Sequence, residues 1–400
     1  MKELLLLTQG INLKLLLFFS FTFFQYFQFI QCCEFYQLYQ HYRDDYIKKP
    51  QRIKNCPQQM IYNQQRMLKI QHYDNASYIQ DIYYIKETVL SSIAKWKGKI
   101  IIFWRTSFVK GGIEYGWLNL NQASTTFNTT NFHDFKPIEV LGSIPQAPYY
   151  RSRHFKFTKQ EEPRVTVLSN GKLALIYNGN TRSFLASQHL TFLEYDSDSN
   201  TVNCNNGQYL IHYEGRQKNW LPFEPNPNDG LYLIQQQNPL HIVQLGTKGF
   251  LEQSYHTKTV IKLSQSYNLP WKSETYGQHV RGGTPPIKIN KYNLFLSFFH
   301  TCHENGLYKT YFMGAITFNA SHPYNLVSMS QVPIARPELY SGRWVWEGLD
   351  YVVYPMGSFI DDKEEFIYVS AGWQDIHSIV MKLEIHGLLA SLVPIHTYNI

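Results

Sequence analysis

Cysteine is scarce in this chain of 400 residues: there are five, with Cys32 and Cys33 at the end of an apolar run and Cys56, Cys204 and Cys302 far apart. That spacing excludes a dense disulfide framework and a zinc module, and leaves room for one pair and one free thiol. Charge is also thin, at 17% of residues. The net charge of +7 comes from 37 scattered basic residues that form no long run, so no nucleic-acid partner is expected. No helical pattern long enough to cross over a parallel sheet separates the strand-like segments, which argues against a doubly wound α/β fold.

What the chain has in quantity is apolar and aromatic material. Hydrophobic residues make up 44%, enough to bury a sizeable core, and there are 30 Tyr, 26 Phe and 8 Trp. Aromatic side chains suit pleated strands, and they also offer flat faces to sugar rings. Near the start, residues 15–30 read LLLFFSFTFFQYFQFI behind Lys2 and Lys14, the length of a signal-peptide core and short for a membrane span. Residues 1–33 are therefore expected to be a signal peptide or a signal anchor. The domain beyond would enter the secretory pathway, either secreted or held lumenal by membrane anchoring through 15–30. Sequons at Asn75, Asn128 and Asn319 fit that compartment.

Residues 34–94 begin rich in Gln and Tyr without a sustained period and read as a stem or lead-in. From residue 95 to 400, β-rich runs recur between turn signals: KIIIFWR at 99–105, RVTVL at 164–168, KLALIY at 172–177, HLTFLEY at 189–195, NLFLSFF at 293–299 and EFIYVS at 365–370 are examples. The turns are SNG at 169–171, NDG at 228–230 and DDKEE at 361–365. The class is all-β. Polar strand openings near Arg105, Arg164, Lys218, Thr284 and Tyr354 lie about 50 to 70 residues apart, the span of one propeller blade with insertions. Five such units predict a five-bladed β-propeller.

Four segments carry candidate chemistry. Glu161, Glu162 and Arg164 open a hairpin, where a carboxylate beside a guanidinium suits a general acid next to an anion clamp, or a surface salt bridge. Lys218, Asn219 and Trp220 precede Pro222, where an ammonium and an amide could face a ligand beside an aromatic wall, or where the Trp could simply be core. In RGGTPPIKI at 281–289 the glycines would let backbone N–H groups approach a bound group. His300, Cys302 and His303 follow, but no second cluster completes a coordination shell, so no metal is expected. Near the C-terminus, Tyr354, Trp373 and Asp375 combine aromatic rings with a carboxylate, a common way to hold sugar hydroxyls.

These segments resemble glycoside hydrolase family 130 and the related β-mannoside phosphorylases and β-mannosyltransferases. The likeness runs over residues 95–390 and rests on EEPRV at 161–165, QKNWLPF at 217–223, GGTPPIKI at 282–289 with His300 closing the next strand, and VVYPMGS with VSAGWQD within 352–375. The resemblance implies a five-bladed propeller acting on β-mannosides with inversion, and an oligosaccharide or glycan substrate. The family usually has Glu-Asp-Pro-Arg with the Asp as general acid, whereas this chain has Glu162 at that position. The resemblance implies Glu162 as the catalytic residue and Arg164, Lys218, Asn219 and His300 as phosphate- or donor-binding residues. Arg105, Trp220, Thr284, Tyr354 and Asp375 would bind sugar. It implies no cofactor beyond inorganic phosphate or a nucleotide sugar as co-substrate. A non-catalytic glycan-binding propeller and an inverting hydrolase are the alternatives.

Overall fold

The computed structural model describes residues 77–85, 88–105, 113–118, 136–137, 140–141, 157–181, 186–196, 198, 201–203, 208–212, 218–238, 240–245, 251–256, 280–305, 308–330, 333–334, 339, 349–374 and 377–395. The apolar run 15–30, the sequons at Asn75 and Asn128, Cys32, Cys33, Cys56 and Cys204, and Asp375 lie outside them. Among the described residues no helix is long and apolar enough to cross a membrane.

The described chain is almost entirely β. A first strand, β1 (Ile79–Ile85), is followed by an antiparallel group β2 (Val89–Trp96), β3 (Lys99–Arg105), β4 (Ile113–Leu118) and β5 (Lys136–Pro137). After β6 (Val140–Leu141) comes a second group, β7 (Phe157–Val167), β8 (Leu173–Thr181), β9 (Ala186–Asp196), β10 (Thr201–Asn203) and β11 (Gln208–His212). The third is β12 (Leu221–Phe223), β13 (Tyr232–Gln237), β14 (Leu240–Leu245) and β15 (Leu251–His256).

The fourth is β16 (Arg281–Gly282), β17 (Ile287–Ile289), β18 (Leu294–Asn305), β19 (Tyr308–Asn319) and β20 (Leu326–Ser330). The fifth is β21 (Leu349–Ile360), β22 (Phe366–Trp373) and β23 (His377–Glu384), joined to the fourth by a short parallel pairing of β19 with β21. A helix α1 (Ile385–Ser391) and a strand β24 (Leu392–Pro394) complete the chain, with β24 against β20.

One boundary is corrected. β1 and most of β2 fall within 34–94, the expected lead-in, yet β1 pairs antiparallel with β23 along Ile79 to Ile85. The first strand of the body thus completes the last sheet. The backbone groups on one side of it are met by β23, a pairing that the polar sequence around it did not reveal.

Local chemistry explains the hairpins. Between β7 and β8, Leu168 and Lys172 close the SNG loop through a 2.9 Å hydrogen bond from Leu168 N to Lys172 O, and Gly171 takes the left-handed φ of 79° that a side chain would disfavour. Between β21 and β22, Asp361 Oδ1 accepts from the backbone N–H groups of Glu365 and Phe366, at 2.8 Å each, so the carboxylate itself ties the turn.

Successive groups pack through apolar faces. Trp96, Ile101 and Phe103 of the first meet Val165, Leu175 and Tyr177 of the second. Leu190 and Ile176 of the second meet Trp220, Leu233 and Val243 of the third, and Phe223 of the third meets Phe295 and Phe318 of the fourth edge-on, at 5.3 and 6.0 Å. Leu90 of the first packs with Val352, Tyr354 and Met356 of the fifth. Among the described residues, aromatic side chains build much of this core: Trp96, Trp220, Phe103 and Phe223 are among the most deeply buried. The polar openings at Arg105, Arg164, Lys218, Thr284 and Tyr354 fall one to each group.

Candidate active site

Pro163 decides where the site begins. Lacking an N–H, it cannot donate to the ladder between β7 and β8, and the register slips between Glu161, opposite Asn178, and Arg164, opposite Ile176. Two residues, Glu162 and Pro163, bulge against one. Glu162 is held there at φ 53°, a left-handed conformation that a non-glycine residue rarely adopts. A second proline produces a second slip, between Pro355 and Gly357 of β21, directly after Tyr354.

The Glu162 carboxylate sits among donors. Asn178 Nδ2 donates to Oε2 at 2.7 Å, and the Tyr354 hydroxyl is 3.3 Å from the same oxygen. Oε1 faces Lys218 Nζ at 3.5 Å, with the two side chains 12% and 21% exposed. Asn178 is itself fixed: its Oδ1 accepts from Gln188 Nε2, and Gln188 Oε1 accepts from the Trp220 backbone N–H at 3.4 Å.

Arg164 is only 1% exposed. Its Nη1 donates to the Glu162 carbonyl at 3.0 Å, and its Nη2 donates to Asn219 Oδ1 at 3.3 Å. Asn219, whose φ of 68° suits an Asn better than most residues, also accepts the Tyr354 hydroxyl at 2.7 Å. The Arg164 guanidinium lies 5.5 Å from the centre of the Tyr354 ring. His300, 2% exposed, lies at a tilt to the Tyr354 ring, 4.0 Å between centroids. Two buried nitrogens here, Arg164 Nε and His300 Nδ1, have no hydrogen-bond partner.

Burial pushes the Glu162 carboxyl up, but Lys218, Arg164, His300 and Arg105 more than offset it and hold it at about 2. Burial, reinforced by Arg164 and Arg281, drives the His300 imidazole well below its ordinary value against the opposing pull of Glu162 and the Gly282 backbone. His300 is therefore neutral at pH 7, and the standing counter-charges of Glu162 are Lys218, Arg164 and Arg105. Burial raises the Tyr354 phenol well above 10, with the Glu162 charge acting in the same sense.

No family model and no curated protein matches the chain. Among solved structures it is similar to a β-1,2-mannobiose phosphorylase from Listeria innocua, at 14% identity and a TM-score of 0.47, over 81% of this chain and 95% of that one. It is similar also to a mannose phosphorylase from Leishmania mexicana in complex with a phosphate ion, at 10% identity and a TM-score of 0.44, over 84% and 98%. A third is an exo-β-1,3-galactanase from Phanerochaete chrysosporium, at 9% identity and a TM-score of 0.44, over 80% and 66%. These are likenesses of arrangement.

Of the residues expected from sequence, the fold gathers Glu162, Arg164, Lys218, Asn219, His300 and Tyr354 into one cluster, and the buried Arg105 acts on it through its charge. Three expectations change. Trp220, 0% exposed, is packed among Leu190, Leu233 and Val243 and presents no face to a sugar. Thr284 is committed to the backbone: its hydroxyl oxygen accepts from the Phe298 N–H at 3.0 Å.

The glycines of the same loop serve packing rather than a ligand. A Cβ on Gly282 would lie 2.4 Å from the Asn219 carbonyl oxygen, and one on Gly283 would lie 2.5 Å from Pro355 Cγ. The Gly283 N–H is already donated to the Phe298 carbonyl at 3.0 Å. Asn178, Gln188 and Arg281 were missed by sequence reasoning. A polar residue ending the apolar run LALIY, in register with Glu161 and so one residue from the bulged Glu162, was the available signal for Asn178.

Proposed function

We propose that this protein is a carbohydrate-active enzyme that forms or cleaves β-mannosidic bonds with inversion, by phosphorolysis or by transfer from a phosphate-linked mannose donor. One observation carries it: a buried carboxylate, Glu162, shares its site with Lys218, Arg164 and Arg105, and the charged groups acting most strongly on it are all basic. An inverting hydrolase needs a second carboxylate to activate water, whereas phosphorolysis needs cations to hold a phosphate. Lys218, Arg164 and His300 are suited to that anion, and Glu162 to moving a proton at the glycosidic oxygen. In the cleaving direction a phosphate oxygen bonds to the anomeric carbon, the glycosidic bond breaks, and the departing sugar oxygen takes the proton.

The five antiparallel groups, packed in succession with the first strand completing the last sheet, support a five-bladed β-propeller as the scaffold. Residues 1–33 are proposed to direct it to the secretory pathway. Incubation with β-linked mannobioses in phosphate buffer tests the reading. Mannose 1-phosphate should form, and Glu162→Gln should reduce it by about a hundredfold or more. Glycan binding without turnover by the unaltered protein would place it instead among non-catalytic propellers.

A further inference from the structure

We infer that a tetrahedral oxyanion bound by Lys218 and Arg164 brings a proton into the site with it, and that the proton settles on Glu162 Oε1. The inference rests on the anion site proposed above. Lys218 Nζ faces Oε1 at 3.5 Å, and Arg164 holds the Glu162 main-chain carbonyl at 3.0 Å while its Nε has no partner. The same two cations that keep the carboxylate charged are thus the ones available to an incoming dianion.

Once engaged, they no longer favour the carboxylate, and the dianion repels it. The carboxylate then gains a proton from solvent and becomes a neutral acid, the state a general acid requires. Oε1 receives it because Oε2 already accepts from Asn178 Nδ2 at 2.7 Å and has the Tyr354 hydroxyl at 3.3 Å. Asn178 cannot turn its amide over to accept instead, since its Oδ1 is held by Gln188. Anion binding would arm the acid.

The charged and titratable groups facing Glu162 come from every element around it: Arg105 of β3, Arg164 of β7, Lys218 before β12, His300 of β18 and Tyr354 of β21. Arg281 of β16 bears on His300. His300 is the imidazole that competes for the proton, since the Tyr354 phenol, raised well above 10, already carries its own.

Sulfate is the probe, since it carries its two charges unchanged across the range of interest. Calorimetric titration of the whole protein with sodium sulfate, in paired buffers of different ionisation enthalpy, counts protons taken up from about pH 8 to about pH 5. Uptake should grow toward about one proton per sulfate as pH falls, with affinity weakening by up to about tenfold per unit as pH rises. Glu162→Gln should bind sulfate with neither uptake nor that pH dependence. Carboxyl-carbon NMR of the unaltered protein, with and without sulfate, should show one glutamate titrating upward and serves if the variant does not fold. Undiminished uptake in Glu162→Gln would assign the proton to His300 and overturn the inference. Binding without uptake would overturn it while leaving the anion site standing, and no binding of sulfate or phosphate at all would remove both.

Discussion

Asn178 Nδ2 lies 2.7 Å from Glu162 Oε2, across the hairpin from a carboxylate that a proline-induced bulge has turned out of its strand. That hydrogen bond stabilises the ionised form. Asn178→Ala should therefore raise the Glu162 pKa, and should reduce turnover by about tenfold to a hundredfold by freeing the carboxylate to rotate. Asn178→Asp should raise it further, because a second carboxylate replaces a donor. Carboxyl-carbon NMR reads the pKa and initial rates read the turnover.

Tyr354→Phe removes the hydroxyl that donates to Asn219 Oδ1 at 2.7 Å while keeping the ring against His300. Asn219 retains Arg164 as a donor, so the expected loss of stability is about 1 kcal/mol rather than the larger cost of an orphaned group. Urea denaturation measures it.

Gly283→Ala should be costly for a different reason. Its Cβ would meet Pro355 Cγ at 2.5 Å and the Phe298 carbonyl oxygen at 2.6 Å, and neither a proline ring nor a strand backbone yields easily. A loss of about 2 kcal/mol or more is expected, seen as a lowered Tm together with weakened anion binding, since the loop abuts Asn219 through Gly282.

Acid should destabilise the fold in two stages. His300 has a folded pKa below its ordinary 6.5, so the unfolded chain binds the extra proton first; its contribution is complete above about 6.5 and is lost as pH falls below it. Glu162, at about 2 in the fold against 4.5 as a free side chain, contributes above about 4.5 and loses that contribution as pH falls toward 2. Melting temperature followed from pH 8 to pH 3 should decline in both windows. His300→Gln should shrink the upper one, which the buried His189 and His377 share, and Glu162→Gln the lower, which Glu364 shares.

Much of this was legible in the sequence, for reasons that differ by element. β3 and β22 are runs dense in apolar and β-branched residues and β18 opens on Leu and Phe, and the SNG and DDKEE turns carry their own hydrogen-bonding chemistry, so strand and turn followed directly. β2 did not, because VLSSIAKW places two serines in its middle. Ser92 is buried with its hydroxyl donating to the Met356 carbonyl at 3.2 Å, and the Ser91 N–H donates to Ser378 Oγ at 3.1 Å. Both partners are more than 260 positions away in sequence, and no local pattern can anticipate them. The site shows the same division. Glu162 and Arg164 stood out as charged residues opening a hairpin and His300 as a titratable residue closing an apolar run, while Asn178 and Gln188 owe their role to register across β8 and β9. Trp220 misled because an indole that could stack on a sugar and one that fills a core look alike in sequence.

The proposed role of Glu162 and its surrounding cations in transfer to and from a phosphate-linked sugar is tested by offering mannose 1-phosphate or GDP-mannose together with a mannosyl acceptor and following both products. β-linked elongation of the acceptor should be matched by release of phosphate or GDP, fall by about a hundredfold or more in Glu162→Gln, and be strongly reduced in Lys218→Ala. Hydrolysis of β-mannosides at the same rate with and without phosphate, and no elongation from either donor, would contradict it.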